Sequence, residues 1–249
     1  MLYHRPEVSI SEAEEGEKMD LRLTGKCALV TGSTAGIGLA TASKLAEEGA
    51  SVMINERVEE AVRKVREGAP EAEVSGASAD LGTAKGIEEL LRQVPETDIL
   101  INNLGIFEPK DFGEITDDDW FRFFETNVMS GVRLARHYLP GMMERNWGRI
   151  VFVSSESAVH IPPEMIHYGV TKTAQLAVAR GLAETTVGTY VPKDKPTSPS
   201  IPRSTKWERS GDKADVDVAP VVTNLFTMLF YEYVRKVANV VDDFLRQLN

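Results

Sequence analysis

Tyr168 and Lys172 stand four residues apart, and Ser155 precedes the tyrosine by thirteen. Far upstream runs Thr31-Gly32-Ser33-Thr34-Ala35-Gly36-Ile37-Gly38. On a helix, residues i and i+4 lie one above the other, so the phenol and the ammonium share a face. A free tyrosine, with a pKa of about 10, is a poor base at neutral pH. A nearby ammonium favours the phenolate and lowers that pKa. Such a tyrosine can give or take a proton at a carbonyl or alcohol oxygen while a hydride moves. Ser155 can hydrogen-bond the same oxygen. Asn127, further upstream on a helix, can bridge a water to the lysine. The glycine-rich stretch suits a pyrophosphate. Gly32 permits a tight turn, Gly36 a close approach of backbone to phosphate, and Gly38 close packing of helix and strand. A helix opening there offers free N–H groups and a partial positive charge.

The second strand of this pattern ends at Asn55-Glu56-Arg57. An acid here accepts from ribose hydroxyls and favours NAD; an arginine favours the 2′-phosphate of NADP. Both are present. Ala35 stands where a basic residue would help NADP, so the balance tilts slightly to NAD. Two solvated surface charges are the plain alternative.

The elements that must position these groups follow from apolar patterning. Short apolar runs predict strands at Cys27–Thr31, Ser51–Asn55, Glu73–Ser78, Ile99–Asn102 and Arg149–Ser154. Helices are predicted at Gly36–Glu48, Val58–Glu67 and Gly86–Gln93. A long one runs from Asp117 to about Asn146, N-capped by Thr116 and broken by Gly148, and another from Ile166 to Thr185. Strands that are continuous apolar runs, alternating with helices, predict an α/β fold of three layers. It is doubly wound, with a parallel sheet covered on both faces. After Thr186 the texture changes: four prolines fall between Pro192 and Pro202, which reads as a loop. From Val221 apolar residues recur at helical spacing to Leu248, so the C-terminal third reads as atypical and helical. Residues 1–22 read as an N-terminal extension, and 23–249 as one oxidoreductase domain, with 187–249 divergent.

Bulk properties narrow the classes. A chain of 249 residues, 42% hydrophobic, supports one sizeable core. A net charge of −10 argues against a nucleic-acid partner. No apolar stretch approaches the roughly 18 residues of a membrane span. The acidic N-terminal residues lack the pattern of a signal peptide, and a cytoplasmic location is expected. Cys27 is the one cysteine and sits in an apolar run, as a core residue would. No paired Cys/His spacing suggests a metal. His160, His167, Phe107 and Glu108 flank the motifs. The histidines could touch substrate but read first as surface loop residues, and Phe107 and Glu108 read as pocket neighbours.

Taken together these motifs resemble the short-chain dehydrogenase/reductase family, over about Leu23 to Thr185. Thr31–Gly38 is similar to its cofactor turn, which brings Ser33, Thr34 and Ile37 into the cofactor set with the three glycines. Asp80-Leu81 resembles its adenine-contacting pair. Asn102-Asn103-Leu104-Gly105 resembles its Asn-Asn-Ala-Gly segment, with Leu104 as a departure. The resemblance implies a Rossmann fold and an NAD(P)-dependent oxidoreductase of the EC 1.1.1 class. Tyr168 would be the acid/base, and Lys172 would lower its pKa and bind the nicotinamide ribose. Ser155 would position the substrate and Asn127 support a proton relay; Asn103 and Gly105 would contact cofactor. The partners implied are a small carbonyl or alcohol substrate and a second copy of the chain, as homodimer or homotetramer. The usual Pro-Gly turn after the sixth strand is missing, with Val187–Val191 a remnant of that strand at most. A nucleotide-binding or structural protein on the same fold, with little turnover, is the alternative.

Overall fold

The computed structural model describes residues 22–55, 58–186 and 215–221. Chain order is β1 (Cys27–Val30), α1 (Gly36–Glu47), β2 (Ser51–Asn55), α2 (Val58–Gly68), β3 (Val74–Ala77), α3 (Ala84–Gln93) and β4 (Ile99–Asn102). Then come α4 (Asp117–Phe124), a π-helical turn (Glu125–Met129), α5 (Ser130–Glu144), β5 (Trp147–Val153), α6 (Ile166–Thr186) and β6 (Asp215–Val221). The strands form one sheet in the order β3-β2-β1-β4-β5-β6, and every pairing is parallel.

Side chains alternate across a strand, so each strand feeds two cores. On one face Val30, Ile54, Ile101 and Val151 pack beneath Ala42 and Leu45 of α1 and Val65 of α2. On the other, Leu29, Leu100, Ile150 and Phe152 pack with Leu90 of α3, Leu134 and Met142 of α5 and Ala179 of α6. Each such side chain, fully buried, contributes roughly 1.5–3 kcal/mol. These two layers hold the carboxyl ends of β1, β4 and β5 rigidly at one edge, and the candidate residues follow those ends.

Three expectations change. The single long helix from Asp117 is two helices joined by the π-turn. Its start is as predicted: Thr116 Oγ1 accepts from Asp119 N–H at 3.2 Å, and the Asp119 carboxylate accepts from Thr116 N–H at 3.0 Å. Its end is not set by Gly148. Asn146, left-handed at φ 55°, ends α5, and Gly148 lies inside β5. There a Cβ would come within 2.5 Å of Met142, so the glycine admits α5 against the sheet. Finally, Asp215–Val221, within the stretch read as loop, is a sixth strand with seven residues in register on β5. Val216 is fully buried and Val218 nearly so, while Asp217 reaches Arg149 at 3.6 Å. Val221, where the helical periodicity was expected to begin, instead ends this strand; Val187–Val191 and the periodicity beyond Val221 lie outside the described residues.

Candidate active site

β1 ends at Val30, and the chain turns at once into α1 through the glycine stretch. Gly32 and Gly36 both take left-handed backbone, at φ 58° and 56°. A Cβ on Gly32 would press on Leu104 Cα at 3.0 Å, whereas the space above Gly36 is open. Gly38, inside α1, lets the helix close on the chain leaving β1: its Cβ would lie 2.3 Å from the Gly32 carbonyl. Ala35 is the N-cap of α1 and supplies no side-chain cap. The first N–H groups of that helix therefore lack a side-chain cap at the turn.

Thr31 and Asn103 brace this turn from beneath. Thr31 Oγ1 accepts from Asn103 N–H and Leu104 N–H, both at 3.0 Å. Asn103 Nδ2 donates to the carbonyls of Thr31 and Gly32, at 3.1 and 2.9 Å. Asn103, predicted to touch cofactor, thus spends its amide protons on holding the turn. Ser33, also predicted there, points inward. It is fully buried and its Oγ donates to Val30 O at 2.7 Å and accepts from Asn55 N–H at 2.9 Å. Leu81 is buried in the second core. The Asp80 carboxylate accepts from Gly82 N–H at 3.0 Å and is exposed. For Ser33 and Leu81 only the backbone is left to meet a ligand. Thr34 is half-buried in the turn. Glu56 and Arg57 lie outside the described residues.

Tyr168, Thr171, Lys172 and Gln175 form one stripe of α6, at i, i+3, i+4 and i+7. Lys172 Nζ donates to Val153 O at 2.9 Å and stands 5.6 Å from the Tyr168 ring centre. Ser154 Oγ donates to Lys172 O at 2.9 Å, tying α6 to the end of β5. Ser155, the next residue, accepts from Ser157 N–H at 3.1 Å, and its hydroxyl acts to lower the pKa of the Tyr168 phenol. Asn127, in the π-turn, is gripped on all sides. Its Oδ1 accepts from Ile106 N–H at 2.8 Å, and its Nδ2 donates to Ile106 O and Thr171 Oγ1, both at 3.0 Å. Its Oδ1 and Lys172 Nζ both flank Gly105, at 3.5 and 3.4 Å from where a Cβ would stand.

Burial decides the protonation of this stripe. The fully buried Lys172 ammonium is pushed down to about 8 by desolvation. Tyr168 is raised by its own desolvation, which outweighs the lowering by Ser155. The sequence expectation of a tyrosine lowered by Lys172 is therefore reversed in the protein by itself. The ammonium is bonded to Val153 O, and the loss of water governs the phenol.

A cavity of about 340 Å³ joins the two halves. One wall is the turn, with Gly32, Ala35, Gly36 and Ile37; another is Val153, Ser154, Tyr168 and Lys172. Asn103, Leu104, Gly105 and Phe107 lie between them. Phe107 is 57% exposed and meets the Tyr168 ring edge-on at 6.3 Å. Asn127 and Ser155 are not among the lining residues but lie directly behind them, Asn127 beside Gly105 and Ser155 next in chain to Ser154. The cavity sits at the carboxyl ends of β1 and β4, where the strand order reverses, the usual ligand position of open parallel sheets. An uncapped helix start, open space above Gly36 and a lysine aimed into the same cavity fit a dinucleotide with its phosphates at the turn.

Other candidates fall elsewhere. Glu108 turns away to Arg122, at 2.8 Å. His160 is a surface residue near Glu156. His167 is not: it is fully buried, stacked 4.0 Å from Phe123 and edge-on to Trp120 at 6.1 Å. The bulk of Phe123 and Trp120 on α4 encloses it. Cys27, expected in the core, is only half-buried; its thiol is raised, first by burial. Sequence reasoning missed Ser154, Thr171 and Gln175. The i+3 and i+7 spacing from Tyr168 was the signal for the latter two.

A doubly wound parallel sheet with this strand order and a glycine turn after its first strand defines the dinucleotide-binding class of α/β proteins. Comparison with known proteins places the chain more closely. The model of the short chain dehydrogenase family matches residues 26–191. The uncharacterized oxidoreductase YvaG of Bacillus subtilis is 54% identical over 177 residues, 70% of this chain and 67% of that one. Among solved structures, L-sorbose reductase from Gluconobacter frateurii, complexed with NADPH and L-sorbose, aligns with a TM-score of 0.65. It is 34% identical over 68% of this chain and 67% of its own. A further short chain dehydrogenase/reductase family protein aligns over 90% of this chain and 89% of its own, at 25% identity and a TM-score of 0.70. The chain belongs to the short-chain dehydrogenase family, a family of oxidoreductases.

Proposed function

We propose that this protein is an NAD(P)-dependent oxidoreductase that reversibly transfers hydride between a nicotinamide and a small carbonyl compound or secondary alcohol. The observation that carries the reading is that Tyr168 and Lys172 line the same cavity as the uncapped glycine turn. When bound, the cofactor supplies or accepts the hydride. The chain's own part is to orient and to move a proton. Tyr168, raised by burial, stays protonated at neutral pH and is matched to donating to a carbonyl oxygen as that oxygen gains charge. Ser155 holds the phenol in place. Lys172 brings a positive charge to the cavity, and Gly105 leaves room for it beside Asn127. Exposed Phe107 offers an apolar wall to the substrate's carbon skeleton.

The test is absorbance at the reduced-nicotinamide band across a panel of ketones, ketoses and secondary alcohols. Turnover that depends on Tyr168 supports the reading. Cofactor binding without turnover of any of them, unchanged in Tyr168→Phe, would make the protein a nucleotide-binding module.

NAD is the proposed cofactor, with Glu56 accepting from the ribose hydroxyls. Loss of such charge-assisted bonds predicts that Glu56→Ala weakens NAD about tenfold or more and NADP less, in a fluorescence titration. The opposite ordering makes Arg57 the determinant, a possibility favoured by the NADPH found with L-sorbose reductase.

A homodimer or homotetramer is part of the same reading. Phe121 and Phe124 of α4 are 71% and 42% exposed and border an apolar hollow with Trp120. A second copy related by twofold symmetry is the commonest cover for such a patch. Light scattering is expected to give at least twice the 27.5 kDa chain mass, and Phe121→Glu to lower it. A wild-type monomer overturns the expectation. One domain over residues 23–249, after an extension at 1–22, and a cytoplasmic location complete the reading. No helix among the described residues is long and apolar enough to cross a membrane.

A further inference from the structure

A π-turn pulls main-chain carbonyls out of the regular helix ladder, and such turns concentrate at functional sites. At Glu125–Met129 two side chains reach carbonyls of the turn. Ser130 Oγ donates to Thr126 O, and Gln175 Nε2 donates to Asn127 O. Gln175 is 2% exposed and comes from α6, two turns beyond Tyr168 on the same stripe. Thr171, between them, accepts from the Asn127 side chain and donates to Tyr168 O at 2.7 Å. Asn127 is therefore held by α6 at both its side chain and its main chain. The second polar atom of the glutamine, Oε1, is buried with no partner. A buried amide with half its bonding unmade is costly against an apolar replacement. Core packing alone gives no reason for a glutamine here.

We propose that Gln175 is a positioning residue of the Tyr168–Lys172 site. By clamping the Asn127 carbonyl it fixes the π-turn against α6, and so fixes the Asn127 side chain between Ile106 and Thr171, beside Gly105. The proposal rests on the oxidoreductase reading above for its catalytic consequence, but its structural half stands independently. Loss of the clamp lets the π-turn shift relative to the proton-carrying stripe. Misplacements of about 1 Å at a reacting centre cost up to about a hundredfold in rate.

Two variants of the full chain separate positioning from mere packing. Gln175→Met keeps the volume and removes the donor. It is expected to speed amide hydrogen exchange at residues 127–131 about tenfold, with the sheet strands unchanged. It should also lower kcat about tenfold or more while dinucleotide affinity stays within twofold. Gln175→Glu places a carboxyl against the carbonyl, with Lys172 its ionisable neighbour one turn earlier on the stripe. Protonated, it donates as the amide does; ionised, it repels. Its kcat should approach wild type at pH 6 and fall about tenfold below it at pH 9, a profile that a packing role does not produce. Unchanged exchange in Gln175→Met overturns the proposal. So does wild-type kcat in that variant, or a Gln175→Glu profile parallel to wild type. Exchange needs no substrate. A wild type that turned over no carbonyl compound would sink the oxidoreductase reading, while the exchange result still decided whether Gln175 clamps the turn.

Discussion

Tyr168→Phe is expected to lower turnover by about 10²–10⁴-fold, the range supplied by a positioned acid or base, and to leave dinucleotide affinity within about twofold. The substitution removes one oxygen. The ring keeps its place, because its packing with Phe123 and Met165 in the small core beside the site does not involve the hydroxyl. Ser155 keeps its bond from Ser157 N–H. The glycine turn and the α1 start have no contact with the phenol oxygen. Steady-state kinetics and a fluorescence titration measure the two quantities separately. Retained turnover would sink the proton-transfer role outright. A parallel loss of cofactor affinity would show instead that the hydroxyl belongs to the binding surface.

Lys172→Met carries the second large effect, and it has two signs. Activity falls, because the positive charge facing the cavity is gone. Stability changes in its dependence on pH. Lys172 has a folded pKa of about 8 against an ordinary 10.5. Between those values the unfolded chain binds the proton and the folded one does not, so stability rises with pH in that window. Below pH 8 the full cost of burying the charge is present. From pH 8 to 9.5 this one group should add about 1.5 kcal/mol, from 1.36 kcal/mol per pKa unit. Tyr138, raised by burial, acts oppositely only as unfolded tyrosines ionise near pH 10. Urea unfolding at pH 8.0 and 9.5 reads the rise in wild type and its loss in Lys172→Met. An equal rise in both proteins would mean that Lys172 titrates normally when folded.

The sheet was legible because its first five strands are short runs built mostly of apolar residues. Ser51–Asn55 and Ile99–Asn102 begin and end where the sequence placed them. β6 escaped because it follows a proline-rich stretch and alternates Asp with Val, the pattern of a half-buried strand rather than a central one. The π-turn escaped because a single slipped turn hardly disturbs helical periodicity. At the site, spacing located Ser155, Tyr168 and Lys172, but spacing carries no burial. It therefore misjudged the direction of the tyrosine's shift and left His167 on the surface. Nor does spacing say which way a turn residue points: Ser33 and Leu81 face the core, although Gly32 beside Ser33 lines the cavity.

The slipped turn at Glu125–Met129 also has a meaning in chain length. It spends one residue more than a regular helix would need between Asp117 and Tyr138. Removing that residue would leave one smooth helix of the same reach, with more of its hydrogen bonds made internally. It would also rotate everything upstream by about a third of a turn, carrying Phe121 and Phe124 off their present outward face and taking Asn127 away from Ile106. Residue count in this stretch is thus as constrained as residue identity. Single-residue deletions between Phe124 and Ser130 should fold and yet be silent, the mark of a helix whose irregularity is kept for what it aims rather than for what it holds together.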